Sequence, residues 1–534
     1  MTSNFANAMK QTTTWNGAKS LHTADITGKT SGRLSLFFKA VRGISSPQLY
    51  DYLREADKED LIDTFILCLH LRDCRGGKGE RSLGKNAITW LFLNYPEYFE
   101  KILHLLPFYG RWDDLIELWP NFLNLSKTHI AYTCKNFESP IPENDKWIFL
   151  QKVQTDIVSL MAKQLMQDKI NMNMGNPISI CAKWAPTEND QLDKRYLVVF
   201  QLCNSLGQIN YKRYRKDYIS PLRAYLKIVE NFMCKNAWDE IEFSKVPSCA
   251  MKRLKNSFEK NAVEKFSVWK ALLSQNIVEV KGKQLFPHEL INELKNKRVN
   301  DTVLQAQWEV LEKEAKDLGV LKSAVFVVDV SGSMEMWGFE ARAKFSFTPM
   351  DVAIALGILG SGATTGPFHN HVISFHTKPT FHVLNSHHNL WEKYSQICRL
   401  PCAGSTNIQK VFDLILEKAK SANLKQEDMP TKIIIVSDMQ FNCAVPGQTN
   451  FETIDKKYKA SGYKRPNIIF WNVNGVSTDF PVDVSNNGTA MISGFSTSIL
   501  KSIMNKNEFS PYTIMRETID DSRYGIIREA LKTP

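Results

Sequence analysis

The sequence contains no run of eighteen apolar residues, so no segment reads as a membrane-spanning helix. Its start, Met1-Thr2-Ser3-Asn4-Phe5, lacks the basic-then-apolar layout of a secretory signal. There is no Cys-x-x-Cys pair; ten cysteines are scattered at positions 68, 74, 134, 181, 203, 234, 249, 398, 402 and 443. That scatter suits reduced, mostly buried thiols and argues against a disulfide framework, while Cys398 and Cys402 alone are too few to make a zinc site. No repeat consensus is visible. These absences lead to the expectation of a soluble, cytoplasmic protein.

What is present is enough chain for two or three cores: 534 residues, 43% hydrophobic and 23% charged. Up to about residue 320 the pattern is helix after helix, with Leu61, Phe65, Cys68 and Leu69 on one face, then Leu83, Ala87, Trp90 and Leu91 on another. Short helical pairs of this kind predict a HEAT-like α-solenoid whose repeats are structural. Leu304 to Gly319 reads as the last helix before a second domain, with Gly319 as its stop. The expected boundaries are 1–320 for the helical domain and 321–534 for an α/β domain.

The second half opens on Ala324-Val325-Phe326-Val327-Val328, a strand apolar on both faces that runs into Asp329-x-Ser331-x-Ser333. A second apolar run, Ile433-Ile434-Ile435-Val436, ends in Ser437-Asp438, and the loop Pro401 to Thr406 opens the helix bearing Ile408, Val411, Phe412 and Ile415. Further strands are expected at His371–Phe375, Thr380–Leu384 and Ile468–Trp471, with a final helix at Ser498–Met504. Strands alternating with helices predict a doubly wound parallel sheet with right-handed crossovers. Two carboxylates and three hydroxyls at the carboxyl ends of such strands are hard oxygen donors, suited to Mg²⁺ or Mn²⁺. Asp329, Ser331, Ser333, Thr406 and Asp438 together resemble the metal-ion-dependent adhesion site of the von Willebrand factor A domain. That resemblance implies an ion with an open coordination position that an acidic partner group fills.

The charge is uneven. Residues 201 to 300 hold 19 Lys and Arg against 10 Asp and Glu, so this hundred carries +9 of the chain's +11. Within it Lys212, Arg213, Arg215 and Lys216 alternate with tyrosines, and Lys252, Arg253 and Lys255 form a second cluster; such composition predicts phosphate neutralisation and base stacking on RNA. The loop Arg72 to Arg81 lacks the Gly-Lys-Ser/Thr ending and preceding strand of a phosphate-binding loop, which excludes a nucleotide site. As a turn between helices, its Arg75, Lys78 and Arg81 could touch phosphates of a polynucleotide.

Helices followed by an adhesion-site α/β domain resemble the Ro autoantigen, or TROVE-module, architecture, a ribonucleoprotein arrangement that binds noncoding and misfolded RNA. A closer resemblance is to a family described only as a domain of unknown function, with members in eukaryotes, their viruses and some microbes. It is carried by Asn16-Gly17-Ala18, Arg72 to Gly79, Tyr109-Gly110-Arg111-Trp112-Asp113-Asp114, Ala182-Lys183-Trp184-Ala185-Pro186, Trp238-Asp239-Glu240 and Val246-Pro247-Ser248. The expected function is non-enzymatic: RNA binding through the basic helical domain, with a Mg²⁺-dependent site for an acidic ligand. The alternative is a scaffold whose metal site captures a partner carboxylate without RNA. A metal-dependent hydrolase is disfavoured, since the pattern supplies no second metal's carboxylates, no general base and no activated nucleophile.

Overall fold

The computed structural model describes residues 11–13, 19–21, 31–123, 143–190, 193–194, 197–297, 301–335, 346–375, 378–400, 407–441, 450–475, 480–483, 486–503 and 509–532. The chain is mixed α/β, with many helices and a six-stranded mixed sheet. A short antiparallel pair, β1 (Gln11–Thr13) and β2 (Lys19–Leu21), precedes the helices. The sheet is built from β3 (Ala324–Asp329), β4 (His371–Phe375), β5 (Thr380–Val383), β6 (Lys432–Ser437), β7 (Asn467–Asn472) and β8 (Thr489–Ser493).

Every residue of β3, β6 and β8 is buried, as continuous apolar runs in a sheet covered on both faces require. The order is β5-β4-β3-β6-β7-β8, all pairs parallel except β4 with β5. The expectation of an all-parallel sheet is therefore corrected at one edge. Four residues separate β4 from β5, too few for a crossover between parallel strands, so the two form a hairpin. The chain leaves β3 in one direction to reach β4 and returns to β3's other side to lay down β6. The helix Pro349–Ala363 lies in the connection from β3 to β4, and the helix Asn450–Ala460 in the connection from β6 to β7. The border between β3 and β6 is the point where the winding reverses.

Two compact units share the chain. One comprises residues 1–84, 247–253 and 268–525; the other comprises 85–246, 254–267 and 526–534. Helices predominate before residue 320, yet the first 84 residues and those from 268 to 320 pack with the sheet, so packing does not divide the chain at that single point. In the sheet-bearing unit the helices Pro287–Lys297 and Thr302–Asp317 lie against the helix Pro349–Ala363. The helix Ser31–Lys39 lies against β8 and against the helix Pro511–Ile519. The other unit is helical: Glu143–Asn173, 31 residues long, packs on Val198–Ser205 and on Ser220–Tyr225, and Phe243, Phe258 and Phe266 form an aromatic cluster. No described helix is long and apolar enough to cross a membrane. None of the seven described cysteines is in a disulfide.

Candidate metal centre

β3 delivers Asp329 to the carboxyl edge of the sheet and β6 delivers Ser437 and Asp438 beside it. The register sets Val328 against Val436, so the next pair along is Asp329 and Ser437. The Ser437 hydroxyl donates to Asp329 Oδ2 at 2.5 Å. On the other side of the carboxylate the Ser331 backbone N–H donates to Asp329 Oδ1 at 2.9 Å, an Asx turn that folds the chain back into a short 3₁₀ segment, Gly332–Glu335. That turn brings the Ser331 and Ser333 hydroxyls to 3.1 Å from each other. Ser333 also hydrogen-bonds Asp438. Beyond β6, Gln440 N–H donates to Asp438 Oδ1 at 3.1 Å, and Met439 between them sits in the left-handed region at φ 66°, a conformation costing a non-glycine residue about 1–3 kcal/mol.

The structure thus brings Asp329, Ser331, Ser333 and Asp438 together from two loops at the winding reversal, where open α/β sheets bind ligands. Thr406 lies outside the described residues. Asp329 is fully buried and Asp438, Ser331 and Ser437 nearly so, whereas Ser333 is exposed and opens the cluster to solvent. Burial raises the Asp329 carboxyl above the ordinary range, and the neighbouring Asp438 charge raises it further. Asp438 is raised by burial as well. Neither carboxylate forms an ion pair with a described Lys, Arg or His. Two buried acids with hydroxyls beside them and no cationic partner fit a hard divalent cation, which would replace the missing positive charge. Among the described residues no three His, Cys, Asp or Glu side chains gather as a group that could hold a metal ion. Ser437 was not singled out by motif, because its contact with Asp329 depends on strand register.

Two of the cations expected to meet RNA, Lys78 and Lys255, are buried. Lys78 is 2% exposed; its ammonium donates to the Phe37 carbonyl, to the Ala40 carbonyl at 2.9 Å and to Ser493 Oγ at 2.7 Å. It therefore caps the last carbonyls of the helix Ser31–Lys39 and does not reach a phosphate, which corrects its assignment. Lys255, 1% exposed, is likewise withdrawn from solvent. Lys252 is half-buried with Glu289 Oε1 at 3.8 Å, and Arg253, Arg75 and Arg81 are exposed. Lys212, Arg213, Arg215 and Lys216 are exposed together on one segment of the helical unit. The loop around Lys78 is closed by its own hydrogen bonds: Asp73 accepts from the Arg75 and Gly76 amides and from Arg523 and Tyr524.

Fold and site define an α/β protein with a hydroxyl-flanked carboxylate pair at the reversal point of its sheet. Residues 143–321 match the family model "Domain of unknown function (DUF2828)" and residues 323–530 match "Domain of unknown function (DUF7788)". Over 517 residues, 92% of this chain and 85% of the viral protein, the sequence is 33% identical to "Uncharacterized protein L728" of Acanthamoeba polyphaga mimivirus. The chain belongs to the same family as that viral protein.

Proposed function

We propose that this is a non-enzymatic binding protein whose sheet-bearing unit is a von Willebrand A-type adhesion domain. Asp329, Ser331, Ser333 and Asp438, with Thr406, hold Mg²⁺ or Mn²⁺, and an acidic protein ligand supplies a carboxylate to the open coordination position. When bound, the ion provides a fixed double charge that a ligand oxygen can share. The chain's own part is to hold two carboxylates close enough that they need it. Supporting this reading above all is the pair of buried carboxylates without a described basic partner. No described histidine hydrogen-bonds the cluster. The test is thermal unfolding against Mg²⁺ concentration. The wild-type midpoint should rise as the ion binds the folded state only, and Asp329→Ala should fold yet show no rise. A variant that responds to Mg²⁺ as the wild type does removes the metal assignment.

A second reading, RNA binding of the Ro type through the helical unit, is favoured by one observation. Lys212, Arg213, Arg215 and Lys216 are exposed and make no ion pair with a described residue. Retention of noncoding RNA that falls steeply between about 50 mM and 200 mM salt would support it. No retention at the lower salt would remove it.

A further inference from the structure

The four exposed cations lie on a helix that runs from Tyr211 through a π-helical turn, Arg215–Ile219, into Ser220–Tyr225. At about 100° per residue, positions 212, 213, 215 and 216 fill an arc of about 160° whose centre lies opposite residue 214. Tyr214 is buried there, and its hydroxyl donates to the Pro186 carbonyl at 3.0 Å. The wider π turn sets the next buried anchor, Ile219, five residues on, so that Arg215 and Lys216 both stay outside between the two anchors.

Two of the nearby acids are held by backbone amides. Asp190 accepts the Thr187 and Asp193 amides, Asp193 accepts those of Asn189 and Val199, and Asp217 is half-buried. The next arginine, Arg223, points inward and donates to the Ala182 and Ala185 carbonyls at 2.8 and 2.9 Å. Glu188 is exposed near Tyr211, yet none of the four cations on the outer face forms an ion pair with a described residue.

We propose that this face binds the phosphodiester backbone of RNA without reading its bases, through Lys212, Arg213, Arg215 and Lys216. It rests on the RNA reading above and narrows it. Base stacking, expected from the interleaved tyrosines, has little to work with inside the cationic arc: Tyr214 is buried, and Tyr218 is covered by Lys169, whose ammonium lies 4.5 Å from the ring centroid, which leaves only the half-buried Tyr211 and the exposed Tyr225 at the two ends of the helix. A lipid surface is disfavoured because the aliphatic anchors of the helix, Ile219 and Leu222, are buried and leave no continuous apolar face to insert between acyl chains. Two guanidiniums among four cations suit phosphate oxygens, which they meet with paired donors.

The experiment uses the full chain with fluorescent A20 and U20 RNA at several salt concentrations. Two charge-reversed variants are compared, Lys212→Glu/Arg213→Glu/Arg215→Glu/Lys216→Glu and a control of equal charge on exposed lysines elsewhere in the helical unit, Lys227→Glu/Lys235→Glu/Lys245→Glu/Lys260→Glu. Wild type should bind both RNAs within about threefold of each other. The first variant should lose at least tenfold in affinity and reduce the slope of log K against log salt by about 3, four phosphates at about 0.7 each, while the control retains most of both. Wild-type binding that the first variant keeps overturns the face but leaves RNA binding standing. Preference for A20 over U20 beyond tenfold overturns backbone recognition in favour of stacking. Failure of wild type to bind either RNA removes the RNA reading and the face with it, as does binding only to anionic phospholipid vesicles.

Discussion

The Asp329 carboxyl is buried beside Asp438, and burial first, like charge second, favours its protonated form. In metal-free protein the folded state therefore keeps a proton that the unfolded chain loses in the ordinary carboxylate range. Stability should then fall as pH rises from that range towards neutrality, and Mg²⁺ should restore more of it at pH 8 than at pH 5. Asp329→Asn keeps the shape and removes one charge. In EDTA at pH 8 it should be more stable than wild type by about 1–3 kcal/mol, since each tenfold in proton affinity is about 1.4 kcal/mol, and it should ignore Mg²⁺. Urea denaturation decides; a variant less stable than metal-free wild type would mean that the two acids repel little. Lys78 behaves oppositely. Burial lowers its ammonium from 10.5 to about 7, so between these values the unfolded chain holds a proton that the folded chain has released, and stability rises with pH. Lys78→Met should lose about 1–3 kcal/mol at pH 7 through the stranded Phe37 and Ala40 carbonyls. Its deficit should grow towards pH 9, by at most about 1.4 kcal/mol per pH unit. A deficit constant with pH would show that the ammonium stays charged. Asp329, Ser331 and Ser333 were legible because a strand end and its turn are local in sequence. Lys78 was not, since its partners lie 38, 41 and 415 residues away.

At the scale of elements, strands with continuous apolar runs announced themselves: β3, β4, β6 and β7 lie where the sequence sets them, and the Thr302–Asp317 helix ends ahead of Gly319, whose φ of 66° explains the stop. β8 went unread because Thr489-Ala-Met-Ile-Ser493 has only three apolar residues, although Asn486-Asn487-Gly488 before it and Gly494 after it are turn signals that bound a strand. The expected helix at Ser498–Met504 is instead 3₁₀, Thr497–Ile503. The loop from Arg72 to Arg81 looked like a solvated turn because glycine and arginine dominate it, but its glycines serve packing. A Cβ on Gly77 would run into the His70 carbonyl oxygen and meet Asp73 Cβ at 2.9 Å. Gly79 adopts φ 69°. Gly77→Ala should therefore cost about 1–3 kcal/mol by overpacking, read as a lowered urea midpoint with an unchanged slope. Wild-type stability in this variant would show that the loop can shift away from its helix.

At the scale of the molecule, composition separates a helical half from an α/β half, but the sheet draws its cover from both. Sequential elements usually pack together, which is why the first 84 residues read as part of a helical array. Their buried partners lie at the other end of the chain. Asp63 pairs with Arg516, Asp73 takes both Arg523 Nε and Nη2, and His70 Nδ1 lies 3.0 Å from the Tyr524 hydroxyl. Gly475 N–H donates to the Arg42 carbonyl at 3.0 Å, Leu21 bridges Phe480, and Lys39 lies 3.8 Å over the Phe480 ring. From the other flank Lys295 reaches Asp351 Oδ2 at 3.0 Å, and Gln305 Oε1 accepts the Leu390 amide at 2.9 Å. A fragment of residues 321–534 keeps all six strands and both carboxylates of the candidate centre, yet it takes Asp63 from Arg516, Asp73 from Arg523 and Lys295 from Asp351, and bares the apolar surface under the helices Ser31–Lys39 and Pro287–Lys297. Such a fragment should lack a cooperative urea transition and the near-ultraviolet signal of fixed Trp471, and should show no Mg²⁺-dependent stabilisation even though every described donor of the centre is present. A sharp transition with the slope expected for its size would instead make residues 1–84 and 268–320 an appendage to a self-sufficient sheet domain. The metal response of that folded fragment would then isolate the centre from the helices altogether.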